Sequence, residues 1–388
     1  MMHHDFDTPV VRRGSHCVKW DCEEAQGAIP MWVADMDFRV AQPIIDVLQQ
    51  RVQHGVFGYT QVPLDYYEAV IKWFETRHAW PIHRDWIIYT SGVVPALSAV
   101  IKALTLPGDQ VLLQTPVYNC FFSSVRNNGC QVVENPLIFD GNTYHIDFED
   151  LERKAADAKT RLLVLCNPHN PAGRVWTVDE LEKINDICQR NNVRIVADEI
   201  HCELVMPGFR FTPFASVSQA CLDNSVTLNS PSKSFNIAGL QIANIVCSDA
   251  AVRERIDRAI NINEVCDVNP FGVEALMAAY NECGWWIDEL CDYLKGNDEA
   301  LRAYLAAHLP QVRVASLEGT YLEWLDIRLL GISSDEAAER LLKQGKVLVN
   351  SGTMYGQQAG EGFIRVNIAC PRSQMMKALE SICEVLGQ

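Results

Sequence analysis

The chain has 388 residues, 48% of them hydrophobic and 21% charged, with a formal net charge of -16. That balance is ordinary for a globular protein, and the length predicts two or three folding units, since one core seldom grows past about 250–300 residues. An acidic surface without a lysine- or arginine-rich block keeps a protein soluble and argues against nucleic-acid and membrane partners.

No stretch approaches the ~20 apolar residues of a membrane span. Met1–Pro9 carries His3, His4, Asp5 and Asp7 without an apolar core, so it does not read as a secretory signal. The fourteen cysteines form no C-x-x-C pair. Many sit in apolar runs, as Cys166 does after Leu162–Leu165, which reads as reduced and cytoplasmic.

In chain order, residues 1–44 are irregular and rich in Trp and Met. They cannot fold alone and are expected to pack on another unit or line a cleft. Residues 45–290 alternate short apolar strands with amphipathic helices. Strands are predicted at Trp86–Tyr89, Gln110–Leu113, Arg161–Cys166, Arg194–Ala197, Val226–Leu228 and Asn244–Cys247, and helices at Pro95–Leu104 and Asp179–Arg190. Near-continuous β-branched strands alternating with helices predict an α/β unit around a mostly parallel sheet. Residues 291–388 change pattern. A helix over Asp298–Ala307 is followed by strand-like runs at Gln311–Ala315, Thr320–Asp326 and Gly362–Ile368, then a helix over Arg372–Leu386. This predicts a smaller α+β unit.

Ligands of open α/β sheets bind beyond the carboxyl ends of the strands. Those ends here carry Ser91-Gly92-Val93, Tyr118, Asn170, Asp198 and the run Ser230-Pro231-Ser232-Lys233. Gly92 opens a helix, and helix N-termini offer N–H groups to phosphate, although an N-cap serine with a turn glycine is equally ordinary. A carboxylate at Asp198 needs a positive partner, which a protonated pyridine would supply. Glu199, His201 and Glu203 crowd around it, so a metal-dependent hydrolase stays in view, but no H-E-x-x-H is present. Lys233 is either a surface lysine or a desolvated, imine-forming one. Tyr118 is core packing or a plate for a planar ring, and Asn170 is a turn residue or a ligand. Arg365, alternating with apolar neighbours, is a surface residue or a carboxylate fork.

Taken together, Asn167-Pro168-His169-Asn170-Pro171-Ala172-Gly173, Asp198-Glu199-Ile200-His201, Ser230-Pro231-Ser232-Lys233 and Arg365 resemble the fold-type I pyridoxal-phosphate enzymes. The match is to the class I/II aminotransferase-like superfamily, over nearly the whole chain. Trp32-Val33-Ala34-Asp35-Met36-Asp37-Phe38, Val56-Phe57-Gly58-Tyr59, Gly319–Asp326 and Cys370-Pro371-Arg372-Ser373 are similar to its cystathionine β-lyase, or carbon–sulfur β-lyase, branch of the MalY/PatB type.

The resemblance implies the aspartate-aminotransferase fold and a pyridoxal 5'-phosphate cofactor held by Lys233. Asp198 would face the ring nitrogen, Asn170 the phenolic oxygen, and Tyr118 the ring face. Ser91, Gly92, Val93, Ser230 and Ser232 would hold the phosphate. Arg365 would clamp the substrate α-carboxylate, with Trp32 and Tyr321 as further walls. A homodimer is implied, in which Tyr59, counted with Lys233 as catalytic, reaches the neighbouring subunit's phosphate. Two departures from ordinary aminotransferases, His201 for a tyrosine and Gln241 for an arginine, favour the lyase. The expected reaction is α,β-elimination of L-cystathionine or a related thioether to thiol, pyruvate and ammonia, within sulfur-amino-acid metabolism. The alternatives are an aminotransferase and a cofactor-binding regulatory protein acting through a protein partner.

Overall fold

A computed structural model describes residues 4–264 and 266–388. Its centre is a seven-stranded sheet: β1 (Ile87–Thr90), β2 (Gln110–Leu113), β3 (Gln131–Glu134), β4 (Thr160–Cys166), β5 (Arg194–Asp198), β6 (Ser225–Asn229) and β7 (Ala243–Val246). The spatial order is β1-β7-β6-β5-β4-β2-β3. β7 runs antiparallel to both its neighbours, and the other pairs are parallel. The central strands β4 to β6 are buried almost throughout, because helices cover both faces. Each fully buried Leu or Val here contributes about 1.5–3 kcal/mol. The six strands predicted for this sheet are all present, displaced at most by a residue at their ends. The unpredicted β3 is a short edge strand with a partly exposed, mixed pattern, so it lacks the apolar run that marks its neighbours.

Local chemistry sets the helix ends. Thr177 and Glu180 form a reciprocal capping box that starts Val178–Arg190. Gly55, at φ 73°, stops Gln42–His54. Beyond it, Val56–Tyr59 is exposed, and the chain re-enters the core at Val62 just before the next helix, Leu64–His78.

The second sheet has four antiparallel strands, ordered Arg313–Val314, Leu322–Asp326, Phe363–Asn367 and Asn350–Ser351. The helix predicted over Asp298–Ala307 is much longer, Gly284–His308, and it runs through position 290/291. Its buried Trp286, Leu290, Leu294, Asn297, Leu301 and Leu305 recur at helical spacing. Gly296 and scattered acidic residues hide that stripe in the sequence. The final helix spans Arg372–Leu386 as expected. No helix among the described residues is long and apolar enough to cross a membrane.

The N-terminal segment is sewn onto the second sheet. Ile29–Pro30 pairs in parallel with Val347–Leu348, and Asn367 N–H donates to Met31 O. Its charged anchor is Asp37, 2% exposed. Asp37 accepts from Arg12 Nη1 (2.7 Å), Lys19 Nζ (3.0 Å), Trp20 Nε1 (2.8 Å) and Gln374 Nε2 (2.9 Å). Burial opposes the Asp37 charge, but Lys19, Trp20, Arg12 and Gln374 outweigh it and hold the carboxyl below its ordinary value.

Asp37→Ala leaves the buried Lys19 ammonium with only the more distant Asp35 carboxylate (3.7 Å) and Asp35 O (3.1 Å), and is expected to cost about 3 kcal/mol in urea unfolding at pH 7, the low end for breaking a buried pair. Because the folded-state pKa is depressed, this wild-type advantage is full at neutral pH. It shrinks as the pH falls below the ordinary aspartate value of 3.8.

Candidate active site

Strand ends, the second sheet and the N-terminal segment enclose a cavity of about 510 Å³. Ser91, Gly92 and Val93 follow β1, Tyr118 follows β2, Asn170 follows β4, and Asp198 and His201 lie at the end of β5. Ser232 and Lys233 follow β6, Arg365 comes from Phe363–Asn367, and Trp32 from the N-terminal segment. Gly92 is the N-cap of Val93–Leu104, so the free N–H groups of that helix start lie at the cavity wall.

Two residues expected to line this cavity, Ser230 and Tyr321, lie outside it. The Ser230 hydroxyl donates to Ile242 O (2.6 Å) and accepts from Ser232 N–H, which makes it a helix cap behind the wall. Tyr321 is buried beneath the N-terminal segment, its hydroxyl donating to Ala34 O (2.9 Å). Tyr59 is 99% exposed, away from this chain's own cavity.

The electrostatics centre on Asp198. Its carboxylate accepts one backbone bond, from Ile200 N–H (3.1 Å). Burial pushes its pKa up to about 7, against the pull of that N–H and of Lys233. It is a buried carboxylate short of positive partners. Lys233 Nζ donates to Ala34 O (2.7 Å). Burial lowers its affinity for a proton, Asp35 and Asp198 raise it, and Arg365 adds to the lowering. Arg365 donates to Asn170 Oδ1 (3.1 Å) and Trp32 O (2.7 Å), stacks 4.7 Å from the Tyr355 ring centre, and leaves Nε without a partner among the described residues. Burial, then Lys233 and Arg365, drives His201 down to about 3, so its ring is neutral at physiological pH; Nδ1 likewise has no partner among the described residues.

Asp198, His201 and Glu203 do not converge as a metal site would require. Glu203 turns away from the cavity, accepting from Trp73 Nε1 (2.7 Å), pairing with His78 (2.7 Å) and lying 3.6 Å from Arg77. His78, Cys202 and Glu203 do bring possible ligand atoms within 4.8 Å of one another. The Glu203 carboxylate there is already taken up by donors. Unforeseen wall residues are Val33, Ala34, Cys120, Asn350, Met354 and Tyr355. Asn350 Nδ2 donates to Tyr355 Oη (2.8 Å) and to Trp32 O (3.2 Å). These residues lie off the predicted strand ends, so no periodicity marks them.

The aminotransferase class I and II family matches residues 33–382. The chain is 43% identical to cystathionine β-lyase PatB of Bacillus subtilis, over 99% of this chain and 100% of that one. The fold superposes on cystalysin of Treponema denticola, a pyridoxal 5'-phosphate-containing protein, with TM-score 0.96 and 35% identity, covering 100% of this chain and 99% of that one. It also superposes on a pyridoxal-phosphate-bound C–S lyase of Staphylococcus hominis with TM-score 0.93 and 30% identity, over 100% and 99%.

In cofactor-free protein, Asp198→Asn is expected to be stabilising at pH 8, by about 2–4 kcal/mol in urea unfolding. A carboxyl whose folded pKa is raised loses stability as pH climbs from 3.8 towards about 7, so the variant's gain should be smaller at pH 5 than at pH 8.

Proposed function

This chain belongs to the class I and II aminotransferase family, and within it we propose that it is a pyridoxal-phosphate-dependent carbon–sulfur β-lyase. It splits L-cystathionine or a related cysteine thioether, with one water consumed, into a thiol, pyruvate and ammonia. The observation that carries this is the buried, under-compensated Asp198 carboxylate sharing one cavity with the half-buried Lys233 amine.

The residues fit the cofactor. Asp198 lacks the cation that a protonated pyridine nitrogen is. Lys233 would hold the aldehyde, and the helix start at Gly92–Val93, with Ser91 and Ser232, would take the phosphate. When bound, pyridoxal phosphate supplies an electron-accepting ring for charge developing at the substrate Cα.

The chain's own residues do the rest. Lys233 Nζ, its proton affinity lowered by burial, takes the Cα proton as general base. Arg365, with Nε free of partners among the described residues, receives the α-carboxylate. His201 offers a neutral ring, so it adds no charge to the cavity. The β-lyase reading over amino-group transfer is supported by the identity to PatB and by Gln241, which lines the cavity in place of an arginine. The exposed Val56, Phe57, Tyr59 and Leu64 suit a contact with a second copy of the chain, in which Tyr59 would enter the partner's cavity. Fourteen unpaired cysteines suit a reducing, cytoplasmic setting.

Purified protein given L-cystathionine and a panel of cysteine thioethers is expected to release thiol and pyruvate in equal amounts. Fast amino transfer to a keto acid without pyruvate would replace the lyase assignment with an aminotransferase. Lys233→Ala is expected to keep the folded circular-dichroism spectrum, lose about 10²–10⁴-fold or more in rate, and lose borohydride fixation of the cofactor at that position. Arg365→Lys forfeits the planar fork. It is expected to raise KM about 10–100-fold, the worth of a charge-assisted bond, with the visible absorbance of the bound cofactor unchanged.

A further inference from the structure

Two cysteines line the cavity, and they differ in kind. Cys166 is buried at the end of β4, its sulfur 3.5 Å from both Pro168 O and Asn170 N. Burial, then the Asp198 charge, pushes its thiol far above the ordinary range. Such a thiol is inert. Cys120 is partly exposed, in the first turn of Asn119–Asn127. It shares the cavity wall with Tyr118, Lys233 and Tyr355. Nothing in the elimination reaction described above uses it.

A second observation points to what would meet it. Arg365 and His201 are each 3% exposed and line the same cavity, and Arg365 Nε and His201 Nδ1 have no partner among the described residues. Unpartnered nitrogens on side chains this deeply buried mark a place for a polar ligand. A guanidinium with a free N–H selects a carboxylate. Tyr355 lies in the same wall as Cys120, and Arg365 stacks on its ring.

We propose that Cys120 is a site of reversible thiol–disulfide exchange with disulfides of amino-acid thiols, the ligand's carboxylate docking on Arg365 while its sulfur meets the Cys120 sulfur. The Cys120 thiolate attacks one sulfur of the disulfide, the ligand's S–S bond breaks, and a new S–S bond to Cys120 forms. The other half departs as a thiolate. The Cys120 sulfur is oxidised and the departing sulfur reduced, so no further oxidant is needed. The adduct occupies the cavity beside Lys233 and stops turnover until a free thiol removes it. This rests on the lyase assignment for its purpose: a thiol product, once oxidised, closes the enzyme that made it.

The test treats cofactor-loaded protein with L-homocystine, whose sulfur sits on Cγ and is not set up for β-elimination. One homocysteine adduct is expected, mapped to Cys120 by peptide mass spectrometry, with lyase activity falling in step and returning with dithiothreitol. Bis(2-hydroxyethyl) disulfide lacks the carboxylate and is expected to react about 10-fold more slowly, as loss of one charge-assisted contact predicts. Cys120→Ser and Cys120→Ala, each measured against its own untreated rate, are expected to resist inactivation. Adducts elsewhere with Cys120 free, equal rates for the two disulfides, or equal inactivation of the variants overturn the proposal. If Cys120 is labelled but no thioether yields pyruvate, the lyase assignment falls and the exchange site stands. If pyruvate forms but Cys120 stays unlabelled, the exchange site falls and the lyase assignment stands.

Discussion

Both cations of the cavity are held by backbone carbonyls of one N-terminal segment. Lys233 Nζ donates to Ala34 O and Arg365 Nη2 to Trp32 O, each at 2.7 Å. The segment is held in turn by Asn367, which donates to Val33 O (2.6 Å) and Asp35 O (2.7 Å), and by Asn236, which donates to Met36 O and Phe38 O (both 3.0 Å). A buried ammonium or guanidinium needs acceptors, and neutral carbonyls supply them without cancelling the charge. That leaves Arg365 free to attract a carboxylate and Lys233 free to give up a proton. The cavity therefore depends on residues nearly two hundred or more positions from its cations, and on the Asp37 anchor that fixes where those carbonyls lie.

The run Asp198-Glu199-Ile200-His201-Cys202-Glu203 shows how one stretch of ionisable residues meets three different environments. Asp198 ends β5 at the cavity and is short of partners. Glu199 turns the other way and accepts from Phe214 N–H (2.7 Å). Burial, eased by that bond and reinforced by Asp198, pushes it up to about 8, so it stays protonated at neutral pH. Glu203 overcomes burial through His78, Trp73 and Arg77, which keep it charged. A neutral Glu199 and a neutral His201 leave Asp198 as the one negative charge facing the cavity from this run. In the proposed arrangement, a protonated pyridine would find one counter-ion in this run and no competing carboxylate from it.

Function in this fold is set by a few positions on a shared scaffold. His201 and Gln241 both line the cavity, and both are neutral where an ordinary aminotransferase carries a tyrosine hydroxyl and an arginine. With one fixed positive charge fewer in the cavity wall, the proposed phosphate binding would fall to the helix start at Gly92–Val93 and to hydroxyls. Ser232 lines the wall and is open to that role, whereas Ser230 is committed to capping Pro231–Ser234.

The sequence by itself determined six of the seven strands of the central sheet, the chemistry gathered at the strand ends, and the family motifs around Asn170, Asp198, Lys233 and Arg365. These are local signals: apolar runs buried on both faces, followed by the polar residues that end them. It also anticipated an N-terminal segment unable to fold alone. Only the tertiary structure decided that this segment's carbonyls cap both cations, that Ser230 and Tyr321 stand behind the wall, and that Cys120 and Tyr355 stand in it. Those outcomes depend on which side of an irregular segment faces the cavity. Helix and strand periods cannot report that, because such segments have no period. The same holds for the long helix Gly284–His308, whose buried stripe is legible only once the surfaces it packs against are known.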